Sequence, residues 1–387
     1  MKISIYADDF KSITERAVTA AAKKSSNFLM ESILIEAYGG KIVAKAYDLD
    51  HYAEVITDAA DVIDEGAIVV HRDNLKSLYN MKGRITLESA DKIGIVKSAK
   101  KTSRFCVCDK PEDFTMPTIG KTQHAFTIKQ SELLETMTKI KPYLAKEYSN
   151  PILKGIHIIG TKEYGTFYGC SGYFAIRQTV KGKFDTFAIT VPEVSKDIKD
   201  VSGEKNNKQN CDIVVSYGEK YVVYEGKDFK FATRLIEGKY VDIKKIFSGT
   251  FTDSFDLDAS ELCKLAKEYK DILIHKTTTS KTVMPMFFTN NNGSLSAIAL
   301  GSNFQTMDNL ETVDNSTIFA DREYAQGFNP EYMELVTKTF GKETIHIDIR
   351  TGVWKMNGKS DCSILLVPMR TTPKDKEKIH SFIQSVA

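Results

Sequence analysis

Hydrophobic and polar positions fall into one order three times along this chain. Ile3-Ser4-Ile5-Tyr6 alternates as a half-buried strand does, and Phe10–Ala21 follows with apolar residues at helical spacing. Phe126-Thr127-Ile128 runs into Leu133–Ile140 in the same way, and Phe255-Asp256-Leu257 into Leu262–Tyr269. Each helix is followed by a predicted strand pair: Ile33–Tyr47, Gly155–Tyr168 and Met286–Leu300. A further strand and a second helix come next, over Ala67–Met81, Phe187–Val201 and Thr317–Phe340. Closing strands fill Ile85–Val107, Asp212–Ala232 and Ile345–Val367. Within the first repeat, Leu34–Tyr38 and Lys41–Lys45 flank Gly39-Gly40 and predict a hairpin, a pattern repeated over Ile213–Val223.

Landmarks recur about 120–130 residues apart, which is the size of a domain rather than of a solenoid unit. Turn-forming residues without apolar periodicity mark boundaries near Met116–Lys121 and Phe247–Thr250. The chain of 387 residues therefore reads as three α+β domains, 1–120, 121–249 and 250–370, followed by a charged tail, 371–387. Linkers this short imply domains in a fixed row. Gly203–Gln209 reads as a polar loop. Triplicated domains build surfaces or rings more often than single catalytic pockets.

Charge narrows this little. Net charge is +2, from 53 basic and 51 acidic residues, so any basic footprint must come from local placement. The first helix carries Arg16 and Lys23 opposite an apolar stripe of Phe10, Ile13, Ala17 and Ala20. In the third repeat Lys264 and Lys267 lie opposite Leu262, Leu265, Ala266 and Tyr269; Lys139, Lys196 and Lys199 hold comparable places in the second. Acidic Glu135 and Glu334 share such faces. The beginning of the chain lacks the apolar core of a signal peptide, and no run reaches membrane-span length. Six cysteines without disulfide spacing point to a reducing, cytoplasmic setting.

Catalytic motifs fail in turn. Gly120-Lys121-Thr122 resembles the end of a phosphate-binding loop, but Thr115 stands where its first glycine belongs and Pro117 interrupts it. Gly169-Cys170-Ser171-Gly172 brings its second glycine one residue too early for a nucleophile elbow. Cys106 and Cys108 share a strand face but lack the second pair a metal site needs. These absences favour a binding protein with no catalytic residue, metal or cofactor. The competing reading is an enzyme or small-ligand protein using Asp48, Asp50 and His51, groups suited to a divalent metal or to acid/base work. The matching place in the second repeat, Ser171-Gly172-Tyr173, has no carboxylate.

Several local sequences, in order and within the threefold context, resemble the β subunit of bacterial DNA polymerase III, the sliding clamp. Leu365-Leu366-Val367-Pro368-Met369-Arg370 is similar to the family's closing segment. Gly66–Val70, Ser103-Arg104-Phe105, Glu112-Asp113-Phe114, Arg234–Gly238 and Gly327-Phe328-Asn329 with Tyr332 match as well. The resemblance spans residues 1 to about 370; family chains stop soon after the Pro-Met-Arg, so the tail departs from it.

The resemblance implies the DNA-clamp fold: three similar domains, each with two helices against antiparallel sheets, forming half of a ring. It implies a non-catalytic processivity factor, a homodimer encircling double-stranded DNA without reading its sequence. Its partners would be an alpha or PolC-type polymerase, the clamp loader and other proteins with clamp-binding motifs, including repair proteins. The matching positions for a peptide pocket are Leu153, Gly172, Tyr173, Phe174, Ala175, Val241, Lys245, Ile246, Val283, Asn329, Tyr332, Val367, Pro368, Met369 and Arg370. Tyr173-Phe174-Ala175 stands where the family often has His-Arg-Leu, and Val241 where it often has Pro, so less charge and more aromatic surface are expected. Phe105 and Val107 on one side, and Ile272 and Leu273 on the other, are the expected dimer contacts. Lys24 falls where the family has a basic DNA contact; Arg16, Lys23, Lys139, Lys196, Lys199, Lys264 and Lys267 join it on helical geometry alone.

Overall fold

A computed structural model describes residues 1–90, 92–108, 110–146, 150–203, 210–276, 280–291, 294–312, 324–350 and 352–386. Its helices are α1 (Ala7–Ala17), α2 (Arg72–Leu78), α3 (Gln130–Ile140), α4 (Ser195–Ser202), α5 (Ile243–Phe247), α6 (Ala259–Leu273), α7 (Pro330–Phe340) and α8 (Pro373–Val386). The repeat is visible element by element. Strands Lys2–Tyr6, Gln123–Lys129 and Asp253–Asp258 lead directly into α1, α3 and α6. The second helices α2, α4 and α7 each follow a strand, respectively Gly66–His71, Phe187–Val191 and Ala325–Phe328. The expected strand from Thr317 and most of the expected loop Gly203–Gln209 lie outside the described residues. The Gly39-Gly40 turn forms as the pattern predicts, with φ of +57° and +74°, the left-handed values that glycine adopts without strain.

The chain packs as two compact units: Met1–Thr138, Gly155–Gly165 and Lys181–Gly238 form the first, and Lys139–Lys154, Thr166–Val180 and Lys239–Ala387 the second. In the first unit a five-stranded sheet runs Ala60–Asp64, Lys2–Tyr6, Arg84–Ala90, Ile93–Lys97, Thr102–Cys106. Beside it in the same unit is an eight-stranded sheet. There Phe229 pairs with Val55, so strands from either side of the expected boundary at residue 120 share one hydrogen-bonded ladder. In the second unit Phe174 pairs with Leu366, joining strands from either side of the boundary at 249. The same sheet continues through Val353–Asn357 and Thr344–Arg350 to Asp253–Asp258. A four-stranded sheet in that unit runs Gln305–Leu310, Ser294–Leu300, Met286–Asn291, Ala325–Phe328.

The expected stripes form the cores. Phe10, Ile13 and Ala17 of α1 are buried, and Thr14, also buried, donates its hydroxyl to the Phe10 carbonyl at 2.7 Å. In the second unit Trp354, the single tryptophan, is fully buried against Phe288 and Phe328, with ring centroids 4.6 and 4.7 Å away. Its Nε1 donates to the Tyr324 hydroxyl at 2.8 Å, so the one polar atom of the indole is satisfied. Helix α7 starts where Asn329 accepts from the Glu331 N–H at 2.9 Å and Pro330 occupies the first turn. The expected charged tail is instead mostly α8, whose Ile379 is buried against Phe287 and Ile298. No described helix is long and apolar enough to cross a membrane.

Candidate functional site

The second unit gathers aromatic side chains around the end of the Cys362–Leu366 strand. Val367 N–H donates to the Tyr173 carbonyl at 2.9 Å, extending the Phe174–Leu366 pairing by one step. Met369 N–H donates to the Gly327 carbonyl at 2.8 Å, and Gln326 Nε2 donates to the Met369 carbonyl at 3.2 Å. The segment Val367–Met369 is thus held by two different sheets. Tyr332 on the first turn of α7 meets the Phe174 ring edge-on at 5.1 Å and the Tyr173 ring at 5.5 Å. Phe174 in turn meets Tyr143 edge-on at 5.2 Å, and the Tyr143 hydroxyl shares a 2.6 Å hydrogen bond with Thr339. Burial pushes the Tyr143 phenol well above its ordinary range. Phe174 is 7% exposed while Tyr173 is 60% exposed, so one ring anchors the cluster and its neighbour faces solvent. Gly172 allows this exposed turn through its left-handed φ of +89°.

Other expected pocket residues sit on short elements of the same unit. Lys245 and Ile246 are exposed on α5, and Phe247 at its end packs 6.1 Å from Tyr168 and under the Arg177 guanidinium. Helix α5 is therefore fixed to the sheet that carries Phe174 and buried Ala175. Val241 and Leu153 are half-buried, and Val283 pairs with Ile274 in a two-stranded ribbon. Asn329 caps α7, Pro368 is half-buried, and Arg370 is exposed. The sequence reading missed Tyr143 and Gln326. Lys141-Pro142-Tyr143 directly after α3 was the available signal for the first: proline there forms a short 3-10 turn that directs the tyrosine inward.

The expected DNA-facing cations divide. On α6, Lys264 and Lys267 are exposed opposite buried Leu262, Leu265, Ala266 and Tyr269. Lys196 and Lys199 are exposed on α4, and Lys23 and Lys24 on the segment after α1. Lys139 is half-buried and donates to Gln178 Oε1 at 3.2 Å. Arg16 departs from expectation. It is 8% exposed, forms two bonds to the Asp228 carboxylate at 2.7 and 2.8 Å, and donates to the Val201 carbonyl at 2.6 Å. A helical wheel places Arg16 off the apolar stripe, but the end of α4 and the turn holding Asp228 cover that side.

The six cysteines carry no disulfide, and among the described residues no cluster of three or more His, Cys, Asp and Glu could hold a metal. Asp48 closes a turn between two strands, accepting from the Asp50 and His51 N–H groups at 3.1 and 2.7 Å. Its other oxygen meets the His51 ring at 3.2 Å.

No family model matches the chain, and no curated protein does. Solved structures match along its length. The β subunit from the DNA polymerase of Streptococcus pyogenes superposes with a TM-score of 0.81 at 16% identity, covering 96% of this chain and 100% of that one. The DNA polymerase III β subunit of Thermotoga maritima gives 0.78 at 18% identity, with coverages of 96% and 100%. The Pseudomonas aeruginosa sliding clamp bound to griselimycin gives 0.80 at 15% identity, again over 96% and 100%. The chain has the fold of the bacterial sliding clamps.

Set on the clamp fold, the expected dimer residues fare unequally. Phe105 is half-buried on Thr102–Cys106, the last strand of the five-stranded sheet, and Val107 just beyond it is buried. Ile272 is half-buried; a Cβ added at Gly301 would come within 2.7 Å of it. Leu273 is fully buried and belongs to the core of its own chain. Its place follows from the helix: four residues after Tyr269, it continues the α6 stripe. Phe304 is 60% exposed beside Gln305–Leu310, one end strand of the four-stranded sheet.

Proposed function

We propose that this protein is a DNA sliding clamp: three similar domains per chain, two chains in a closed head-to-tail ring, duplex DNA through the hole, and no reaction catalysed. The observation that carries the reading is the match to clamp structures over nearly the whole chain and the whole of each relative. Lys23, Lys24, Lys139, Lys196, Lys199, Lys264 and Lys267 would meet phosphates and leave bases unread, which a sliding ring requires. The polymerase, its loader and other motif-bearing proteins would insert leucine and aromatic anchors beside Tyr173, Phe174, Tyr332, Val367 and Met369. Exposed Tyr173 and the α5 side chains Lys245 and Ile246 would edge that groove. Met369→Ala should weaken such a peptide by roughly 1–3 kcal/mol, as loss of a central anchor does.

Two sheet edges also fit a ring. Thr102–Cys106 with Phe105 ends one sheet, and Gln305–Leu310 with Phe304 ends another. Edge strands of this kind join across subunits readily. Sedimentation should find a species of twice the 43.4 kDa chain mass at micromolar concentration, and Phe304→Asp should shift it to monomer with its cooperative melt intact. A monomer at every concentration would argue against the ring.

A further inference from the structure

The end of the chain does two jobs in one short stretch. Val367 and Met369 belong to the aromatic groove, and the residues just after them are tied down. Gly327 N–H donates to Thr371 Oγ1 at 3.1 Å, one residue from the bond between Gln326 and the Met369 carbonyl. Gly352, with φ of +83°, permits the approach: a Cβ there would lie 2.5 Å from Gln326 Oε1 and 3.4 Å from Pro368.

Helix α8 begins at once. Thr372 donates its N–H and its hydroxyl to Asp375 Oδ2 at 2.8 and 2.7 Å, and the Asp375 N–H donates back to the Thr372 carbonyl at 3.0 Å. This reciprocal cap, with Pro373 next, fixes where the helix starts. Ile379, 3% exposed, then packs with Phe382 and Ile383 against Phe287, Ile298, Leu300, Met307 and Ala325. Phe287 is paired with Gly327, the residue that holds Met369. The helix therefore grips the strands to which the groove segment is pinned.

We propose that α8 is a strap: by docking on the four-stranded sheet it holds Val367–Arg370 in the path that shapes the peptide groove. The proposal rests on the groove reading given above. In this chain Val367–Arg370 runs straight on through Thr371 into α8, so removing α8 would leave the segment as a free end, where chains fray. A peptide would then meet a competent groove only part of the time, and its apparent affinity would fall by that fraction. Residues of α8 touch no peptide in this account; they position those that do.

The test uses a fluorescent peptide with one leucine and one phenylalanine anchor. It is titrated against the full chain, a chain ending at Arg370, and full chains carrying Ile379→Asp or Ile379→Leu. Amide exchange at Met369 and Gly327 is read in parallel. The strap predicts that truncation and Ile379→Asp weaken binding roughly tenfold, mainly through slower productive association, while the Met369 amide loses protection. Ile379→Leu should bind as the full chain does. Equal affinity in a folded truncated chain, or unchanged Met369 protection, overturns the strap and leaves the groove standing. No binding by the full chain overturns the groove reading and the strap with it. Loss of the cooperative melt in both the truncation and Ile379→Asp would assign α8 to the core and likewise overturn the proposal.

Discussion

Helices α1 and α6 hold matching places in the repeat, yet Arg16 of the first and Lys264 and Lys267 of the second are used in opposite ways. On α6, Lys264 and Lys267 stand in solvent across the helix from the buried stripe. On α1, Arg16 is turned inward to the Asp228 carboxylate and the Val201 carbonyl. Side-chain chemistry fits the division. A guanidinium presents a rigid fork suited to a carboxylate and a carbonyl together, whereas an ammonium on a flexible stem stays hydrated and interchangeable. A repeated scaffold therefore does not impose repeated use of charge. A cation count over equivalent helices overstates what is available to a polyanion.

The end of α6 offers the largest test of where its stripe stops. Leu273→Ala should lower stability by about 3 kcal/mol, the range for truncating a buried leucine, with no dependence on protein concentration. Ile272→Ala, at a half-buried position, should lower it by less than about 1.5 kcal/mol. Equal small effects would return Leu273 to the subunit interface.

Arg16 comes next. Arg16→Met should lower the stability of the folded chain by about 2 kcal/mol, because a buried carbonyl and a carboxylate are left without their donor. The figure is moderated by solvent at Asp228, whose side chain is 41% exposed. It should leave the salt dependence of DNA retention unchanged. Lys264→Gln with Lys267→Gln should do the reverse: stability within about 0.5 kcal/mol of the parent, and a salt slope reduced by about one for each phosphate no longer neutralised. A reduced salt slope in Arg16→Met would erase the contrast between the two helices.

The smallest expected effect lies at the turn between Asp48 and His51. The hydrogen bond to Asp48 raises the His51 pKa from 6.5, against partial burial. Burial raises the Asp48 pKa, but its bonds to His51 outweigh that and hold it below 3.8. The His51 contribution is full below 6.5 and is lost as pH climbs through its raised folded value. The Asp48 contribution is present above 3.8 and is lost as pH falls through its lowered folded value. His51→Gln should therefore destabilise more at pH 5.5 than at pH 9, by under about 0.5 kcal/mol at such part-exposed positions.

What was legible in the sequence follows the range of the interaction. The order of strands and helices was readable because alternation and helical spacing are local, and Gly39-Gly40 turns as its residues require. Helix α8 was equally local: Thr372-Pro373 with Asp375 spells a cap, and Ile379, Phe382 and Ile383 keep helical spacing, but the charges between them hid it. Arg16 could not be read, since Asp228 lies 212 residues away and strand pairing brings it there. The proposed groove was out of local reach for the same reason: Tyr173 and Val367 meet through the Phe174–Leu366 register, and only family resemblance connected them.

The central claim is topological. Once loaded, the protein should stay on a closed circular duplex at salt that abolishes its direct binding to short DNA, and a single double-strand cut should release it within the time needed to slide off an end. Retention on the cut, linear molecule at that salt would contradict an encircling ring and leave a site-bound protein as the better account.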